Sequence, residues 1–148
     1  MQRYYDVAVI GGGPIGGYVA GEIAAMGFEV AIFEQNKQIG EHLKCAGLVT
    51  SRVFDFLEIS KNPIIQNKIK GAHIHSPSGR KLTIGGDRVH ALVIDRPVFD
   101  REIIKSSIGK GAEIFLENKV VSAQIHEGQI ELKTSQNNDV KCKLLIGA

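Results

Sequence analysis

The stretch that most constrains the fold is "VAVIGGGPIGGYVAGEIAAMGFEVAIFEQ", residues 7–35. An apolar run there meets a knot of glycines, a helix-like segment, and a second apolar run ending in an acid. Tyr4 to Ile10 reads as a buried strand, β-branched and nearly continuous in apolar character. Pro14 to Met26 reads as a helix, with Ile15, Val19, Ile23 and Met26 recurring at spacings of three and four. Pro14 suits its first turn and Gly27 its stop. Phe28 to Phe33 predicts a second strand, parallel to the first and reached by a right-handed crossover.

Gly11, Gly13 and Gly16 fit G-x-G-x-x-G at the strand-to-helix junction. In that pattern the first glycine permits the tight turn and the second lets backbone approach a pyrophosphate. The third allows close helix–strand packing. The free N–H groups of the first helical turn then face the phosphates, favoured by the helix dipole. Glu34 follows 18 residues after Gly16, at the end of the second strand. A carboxylate there accepts hydrogen bonds from both ribose hydroxyls of an adenosine and repels a 2′-phosphate, which disfavours NADP. FAD and NAD stay open at this point, because both present an ADP half.

The rest of the chain fits an α/β domain. Gly40 to Val49 reads as a loop and Ser51 to Leu57 as a short helix. Gly71 to Ile84 reads as an inserted hairpin turned at Pro77-Ser78-Gly79. Ala91 to Ile94 is a brief strand, and Pro97 begins a helix to about Ile108. That helix has Asp100 and Glu102 near its positive end, Lys110 past the other, and Gly109 and Gly111 at the stop. Ala112 to Leu116, Lys119 to Ile125, Gln129 to Thr134 and Val140 to Ile146 are further strands. Glu127-Gly128 and Gln136-Asn137-Asn138-Asp139 are the turns of a β-meander. The predicted class is therefore a Rossmann-like FAD/NAD(P)-binding domain over 1–148, with a central parallel sheet, a meander and an inserted hairpin. "KLLIGA" at residues 143–148 is a buried-strand signature with nothing after it, and only two long helices serve a sheet that needs cover on both faces. A truncated piece of a larger protein is expected.

Composition narrows the partners. A net charge of +2 on 148 residues, with no basic run, argues against nucleic acid. No apolar stretch approaches the roughly 18 residues of a membrane-spanning helix. Asp6 interrupts the first apolar run, so no secretory leader is expected. Cys45 and Cys142 match no metal or redox spacing, which predicts a cytoplasmic chain.

Three further stretches carry a resemblance. "QIGEHLKCAGLV" at 38–49, "IDRPVFDREI" at 94–103 and the final "LLIGA" accompany the N-terminal glycine motif. Together they resemble the N-terminal portion of the geranylgeranyl reductase family, FAD-dependent oxidoreductases with a p-hydroxybenzoate-hydroxylase type of flavin fold. The resemblance implies FAD as the cofactor. Gly11, Gly13, Pro14, Ile15 and Gly16 would border its pyrophosphate, and Glu34 with Gln35 would take the adenosine ribose. Cys45, Ala46 and Gly47 would line the flavin, with Cys45 as the catalytic candidate. Arg96 would sit on the phosphate–ribitol side, and Val120 would meet the adenine through its backbone. The implied reaction is reduction of carbon–carbon double bonds in prenyl lipids. A prenyl-lipid substrate in turn predicts peripheral membrane contact, and the electron donor stays unassigned.

Each candidate has a plainer reading. Cys45 between Lys44 and Gly47 is either a polarised thiol close to a ring or a small buried hydrophobe. Cys142, alternating with Val140 and Leu144, reads as core. Arg96 is either a phosphate partner, a solvated surface charge, or an ion-pair partner of Asp95 or Asp100. His73 and His75 share a strand face but lack a third ligand, so no metal is assigned. His42 lies in the flavin loop without a spacing that argues for proton transfer, and His90 and His126 carry no signal. Rival functions are another flavoenzyme of the fold, such as an aromatic hydroxylase or halogenase, and a nucleotide-binding fragment without chemistry.

Overall fold

The computed structural model describes residues 3–41, 45–126, 128–136 and 139–148. In chain order the strands are β1 (Arg3–Ile10), β2 (Val30–Phe33), β3 (Leu48–Val49), β4 (Ile65–Ile69), β5 (Gly71–His75), β6 (Lys81–Gly85) and β7 (Ala91–Ile94). They continue with β8 (Glu113–Phe115), β9 (Val120–His126), β10 (Gln129–Thr134) and β11 (Asp139–Gly147). Helix α1 spans Pro14–Ala25, α2 spans Arg96–Gly109, and a 3₁₀ turn occupies Ser51–Asp55. These elements fall into two compact units, Met1–His42 with Asp100–Ala148, and Leu43–Phe99. Helix α2 runs through the boundary between them.

The first unit holds a six-stranded sheet ordered β8-β2-β1-β11-β10-β9. β8, β2, β1 and β11 are mutually parallel, while β10 pairs antiparallel with both β11 and β9. This is the Rossmann-like arrangement of central parallel strands plus a meander that the sequence predicts. Alternation along β1 and β2 sends Val7, Val9, Val30 and Ile32 to one face, where Ala20, Ala24 and Ile104 cover them. Ala8, Ala31 and Phe33 go to the other, packing with Leu132, Val140 and Cys142 of the meander. The meander therefore covers the face that lacks a helix. Phe33 and Phe115 stack there at 5.2 Å between ring centroids.

Three expectations need correction. The apolar set Ile15, Val19, Ile23 and Met26 does not form the buried face of α1, since Ile15 is 67% and Met26 72% exposed. Buried instead are Gly16, Gly17, Ala20, Gly21 and Ala24. Close packing explains this: a Cβ on Gly21 would lie 3.1 Å from Ser107 Cα of α2, and one on Gly17 would lie 2.8 Å from Ile104 Cδ1. Large side chains cannot enter that seam. The second strand begins at Val30 rather than Phe28, because the Glu29 carbonyl turns to accept from both Asp6 and Val7 N–H groups at 2.9 and 3.1 Å. Leu144 does not share the burial of Val140 and Cys142; it is 52% exposed.

The second unit contains a three-stranded antiparallel sheet ordered β3-β7-β4 and the separate β5–β6 hairpin. The hairpin turn carries Gly79 at φ 81, as its Pro-Ser-Gly sequence demands. β4 gives no strand signal in the sequence, since a register shift between Ile65 and Asn67 breaks its alternation. Two residues of the predicted loop, Leu48 and Val49, form β3 by pairing with Val93 and Leu92. Phe54 packs edge-on against Phe99, ring centroids 6.0 Å apart. His42, Lys44, Glu127, Asn137 and Asn138, to which the sequence reading assigned roles or turns, lie outside the described residues. Among the described residues, no helix is long and apolar enough to cross a membrane.

Candidate coenzyme-binding site

The site begins where β1 hands over to α1. Gly11 has φ 108 and its N–H donates to the Phe33 carbonyl at 2.9 Å, which ties the turn to β2. A Cβ on Gly11 would lie 2.4 Å from the carbonyl oxygen of Ala148, the residue that follows β11 as it runs beside β1, so the chain there closes against this glycine. Gly16 is equally confined, with a hypothetical Cβ 2.1 Å from the Gly11 carbonyl oxygen. Gly13 is the opposite case. It is the extended N-cap of α1, at φ −73 and ψ −179, and a Cβ there would meet nothing within 4 Å. The chain is thus packed shut at the first and third glycines and open at the second. Pro14 at the first helical position removes one N–H, while helix geometry leaves those of Ile15 and Gly16 without an intrahelical acceptor.

Glu34 stands beside this opening at the end of β2 and is 9% exposed. Its Oε2 accepts from Gly12 N–H at 2.7 Å and its Oε1 from Asn36 N–H at 2.8 Å. Those two amides fix the carboxylate between the glycine turn and the turn after β2. Each oxygen retains a second lone pair, one for each vicinal hydroxyl of a ribose. Gly12 and Asn36 hold the carboxylate through their backbone, which carries no side-chain signature; Gln35, between Glu34 and Asn36, is exposed.

The main chain of Glu34 is bound to the last residue of β8 and to the segment after it. Glu34 N–H donates to Phe115 O and Asn118 N–H donates to Glu34 O, both at 2.9 Å. Val120, two residues beyond Asn118, opens β9 half-buried and pairs with Thr134. The glycines, Pro14, Ile15, Glu34, Gln35 and Val120 thus belong to the first unit. The buried Cys142 of that unit has its thiol pKa raised by burial.

Cys45, Ala46, Gly47 and Arg96 gather in the second unit. Gly47, at φ 70, accepts the Ile94 N–H at 2.9 Å, and a Cβ on it would lie 2.3 Å from Ile94 O and 3.6 Å from Arg96 Cγ. Its own N–H points at Cys45 Sγ, 3.5 Å away, and the Cys45 residue is exposed. Arg96 opens α2, whose N-cap is Asp95: Oδ1 accepts from Val98 N–H at 3.0 Å. The sequence reading treated Asp95 only as a neighbour for Arg96. The Asp-Arg-Pro order, with a cap residue before Pro97, was the signal for this role. His73 Nδ1 lies 3.0 Å from Thr83 Oγ1 on the hairpin.

The fit to a dinucleotide is therefore physical. The backbone is open at Gly13, where a phosphate needs room, first-turn amides have no internal acceptor, and a fixed carboxylate has acceptor capacity to spare. Fold and site define a Rossmann-like domain of the class found in flavoproteins. Solved structures of that fold include a geranylgeranyl bacteriochlorophyll reductase-like protein from Thermoplasma acidophilum. It is 23% identical at a TM-score of 0.87, matching 100% of this chain and 40% of its own. A p-nitrophenol 4-monooxygenase from Pseudomonas putida is 15% identical at a TM-score of 0.80, over 100% of this chain and 41% of its own.

The particular likeness is to digeranylgeranylglycerophospholipid reductases. The one from Methanosarcina acetivorans is 30% identical over 100% of this chain and 38% of its own length. The one from Methanocella arvoryzae is 33% identical over 88% of this chain and 34% of its own. The chain thus spans little more than a third of the curated relatives it matches, and its resemblance to the N-terminal portion of the geranylgeranyl reductase family is borne out. No family model matches the chain.

Proposed function

We propose that the chain is the FAD-binding N-terminal portion of an FAD-dependent oxidoreductase that saturates carbon–carbon double bonds in the prenyl chains of a lipid. The observation that carries this reading is identity along the whole chain to digeranylgeranylglycerophospholipid reductases. The open Gly13 and the two-point anchorage of Glu34 support it.

In this reading the first-turn amides of α1 receive the pyrophosphate, with Gly11, Gly13, Pro14, Ile15 and Gly16 at its border. Glu34, beside Gln35, accepts from the adenosine ribose, and the Val120 backbone meets the adenine. Cys45, Ala46 and Gly47 line the flavin, where the Gly47 N–H holds the Cys45 thiol in one orientation. Arg96, the first residue of α2 after the Asp95 cap, supplies a positive charge toward the phosphate–ribitol side. Bound FAD would supply the hydride chemistry; the protein binds, orients and excludes water. A prenyl lipid also places the working enzyme at a membrane surface, and a separate donor supplies its electrons.

The likeness to p-nitrophenol 4-monooxygenase favours an aromatic hydroxylase as the second reading. One experiment separates the two. Full-length protein is purified, its flavin content read from absorbance released on denaturation, and the chemically reduced protein incubated with a geranylgeranyl lipid under anaerobic conditions. A yellow protein that adds hydrogen to the prenyl chains, read by mass spectrometry, is the expected result. A colourless protein that FAD does not reconstitute refutes the flavoenzyme reading. A yellow protein that leaves prenyl lipids untouched and, in a parallel incubation with reductant and oxygen, hydroxylates phenols refutes the substrate class.

A further inference from the structure

We infer that Ser135 is a positioning residue for the adenosine end of the coenzyme site, acting on Glu34 through the turn at residues 115–119; the inference rests on the FAD-binding reading above. That turn carries Glu117 at φ 55, the one non-glycine residue with positive φ among the described residues. A side chain in the left-handed region is strained and persists only where surrounding contacts over-determine it.

Those contacts come from two sides. On one side Glu117 N–H donates to Asn36 O at 3.1 Å and Asn118 N–H to Glu34 O at 2.9 Å. These bonds reach the residue that bears the ribose carboxylate and the residue whose amide anchors that carboxylate's Oε1. On the other side the Glu117 carbonyl accepts from Ser135 Oγ at 3.4 Å and from Gln136 Nε2 at 3.2 Å. Ser135 Oγ also accepts from Lys119 N–H at 3.1 Å, while Ser135 N–H donates to Lys119 O at 2.8 Å.

Ser135 thus brackets Asn118, bonding Glu117 on one side and Lys119 on the other, with its hydroxyl as donor and acceptor together. It is exposed, as is Gln136, so neither side chain contributes to the core. What their bonds serve is the shape of a turn whose opposite edge is the Glu34 backbone. Loosening that turn lets Glu34 and Asn36 shift, and the carboxylate then meets the ribose in a spread of orientations.

The test is a double-mutant cycle on FAD affinity in the full-length protein, with Kd from flavin fluorescence quenching and the apo melting temperature from circular dichroism. Ser135→Ala is expected to weaken FAD binding about threefold to tenfold, the scale of one to two hydrogen bonds. The double variant with Glu34→Ala is expected to bind no more weakly than Glu34→Ala alone. Gln136→Ala, a surface change that leaves the strand intact, is expected to weaken binding in the same direction and equally to lose its effect without Glu34. If Ser135→Ala leaves affinity unchanged, or its loss persists undiminished beside Glu34→Ala, the positioning role is wrong while the site reading stands. If Glu34→Ala alone leaves affinity unchanged, the ribose assignment falls and this inference with it.

Discussion

Two glycine-to-alanine changes, three residues apart, separate packing from ligand binding in one motif. At Gly16 a Cβ would lie 2.1 Å from the Gly11 carbonyl oxygen and 3.3 Å from Ala148 Cβ. An ordinary carbon–oxygen contact is more than 1 Å longer than the first of these, and the obstructing atom is backbone. Overpacking costs typically about 1–3 kcal/mol, and a backbone obstruction belongs at the upper end. At roughly 2–4 °C per kcal/mol for a domain of this size, Gly16→Ala should lower the apo melting temperature by about 6–12 °C. At Gly13 nothing lies within 4 Å and φ is −73, which alanine adopts freely. Losing glycine at an N-cap costs about 0.5–1 kcal/mol, and restricting the unfolded chain returns about 0.4–1 kcal/mol. The fold should therefore be indifferent to Gly13→Ala.

Coenzyme binding should show the reverse order for Gly13. Its new methyl group occupies the space through which a pyrophosphate reaches the first-turn amides. Losing two charge-assisted hydrogen bonds costs about 3–6 kcal/mol, or roughly 10²- to 10⁴-fold in FAD Kd. The assays are calorimetric unfolding of the apo protein and FAD titration of the full-length protein. An FAD affinity within threefold of wild type for Gly13→Ala would refute the pyrophosphate assignment. A melting loss for Gly13→Ala as large as that of Gly16→Ala would refute the packing argument.

Two other measurements test the description. In native protein a thiol reagent should modify the exposed Cys45 quickly, whereas Cys142, buried with a raised pKa, should react only after denaturation; equal rates would contradict the placement of β11. The Lys143 ammonium, 2.7 Å from Asp6 Oδ1, holds the Asp6 carboxyl below its ordinary 3.8, and Asp6 in turn raises Lys143 above 10.5. The Asp6 contribution to stability is complete above pH 3.8 and is lost as pH falls through its lowered folded value. The Lys143 contribution is complete below pH 10.5 and is lost as pH rises through its raised one. Asp6→Asn should lower stability modestly at neutral pH, where the pair's contribution is complete, and leave it unchanged at the acid and alkaline extremes, which flattens both flanks of the stability–pH curve; an unaltered acid limb would show that the pair contributes nothing.

Much of this arrangement is legible in local sequence. The β1–α1–β2 unit follows from an apolar run, a proline-started helix and a second run, all within about 30 residues, where periodicity and turn chemistry act without distant partners. The hairpin at Pro77-Ser78-Gly79 is equally local. β4 was invisible because its bulge destroys the period-two pattern that marks a strand. The buried face of α1 was misread for a related reason: hydropathy marks Ile15 and Met26 as core, yet a helix pressed against both a sheet and α2 selects for smallness.

The sequence by itself determined the chemistry available to this protein: three spaced glycines, an acid at the end of the second strand, and a Cys-Ala-Gly loop. Those are properties of residue type and spacing, and no partner element is needed to read them. Only the tertiary structure decided which glycine is open and which are closed, since Gly11 and Gly16 are confined by Ala148 and by each other, across more than a hundred residues of chain in the first case. It also decided that the Glu34 carboxylate is held by backbone amides on two turns, and that the turn behind it is held in shape by Ser135. The physical reason is that main-chain hydrogen bonds and close backbone approaches carry no side-chain signature, so they become visible only when distant segments are brought together.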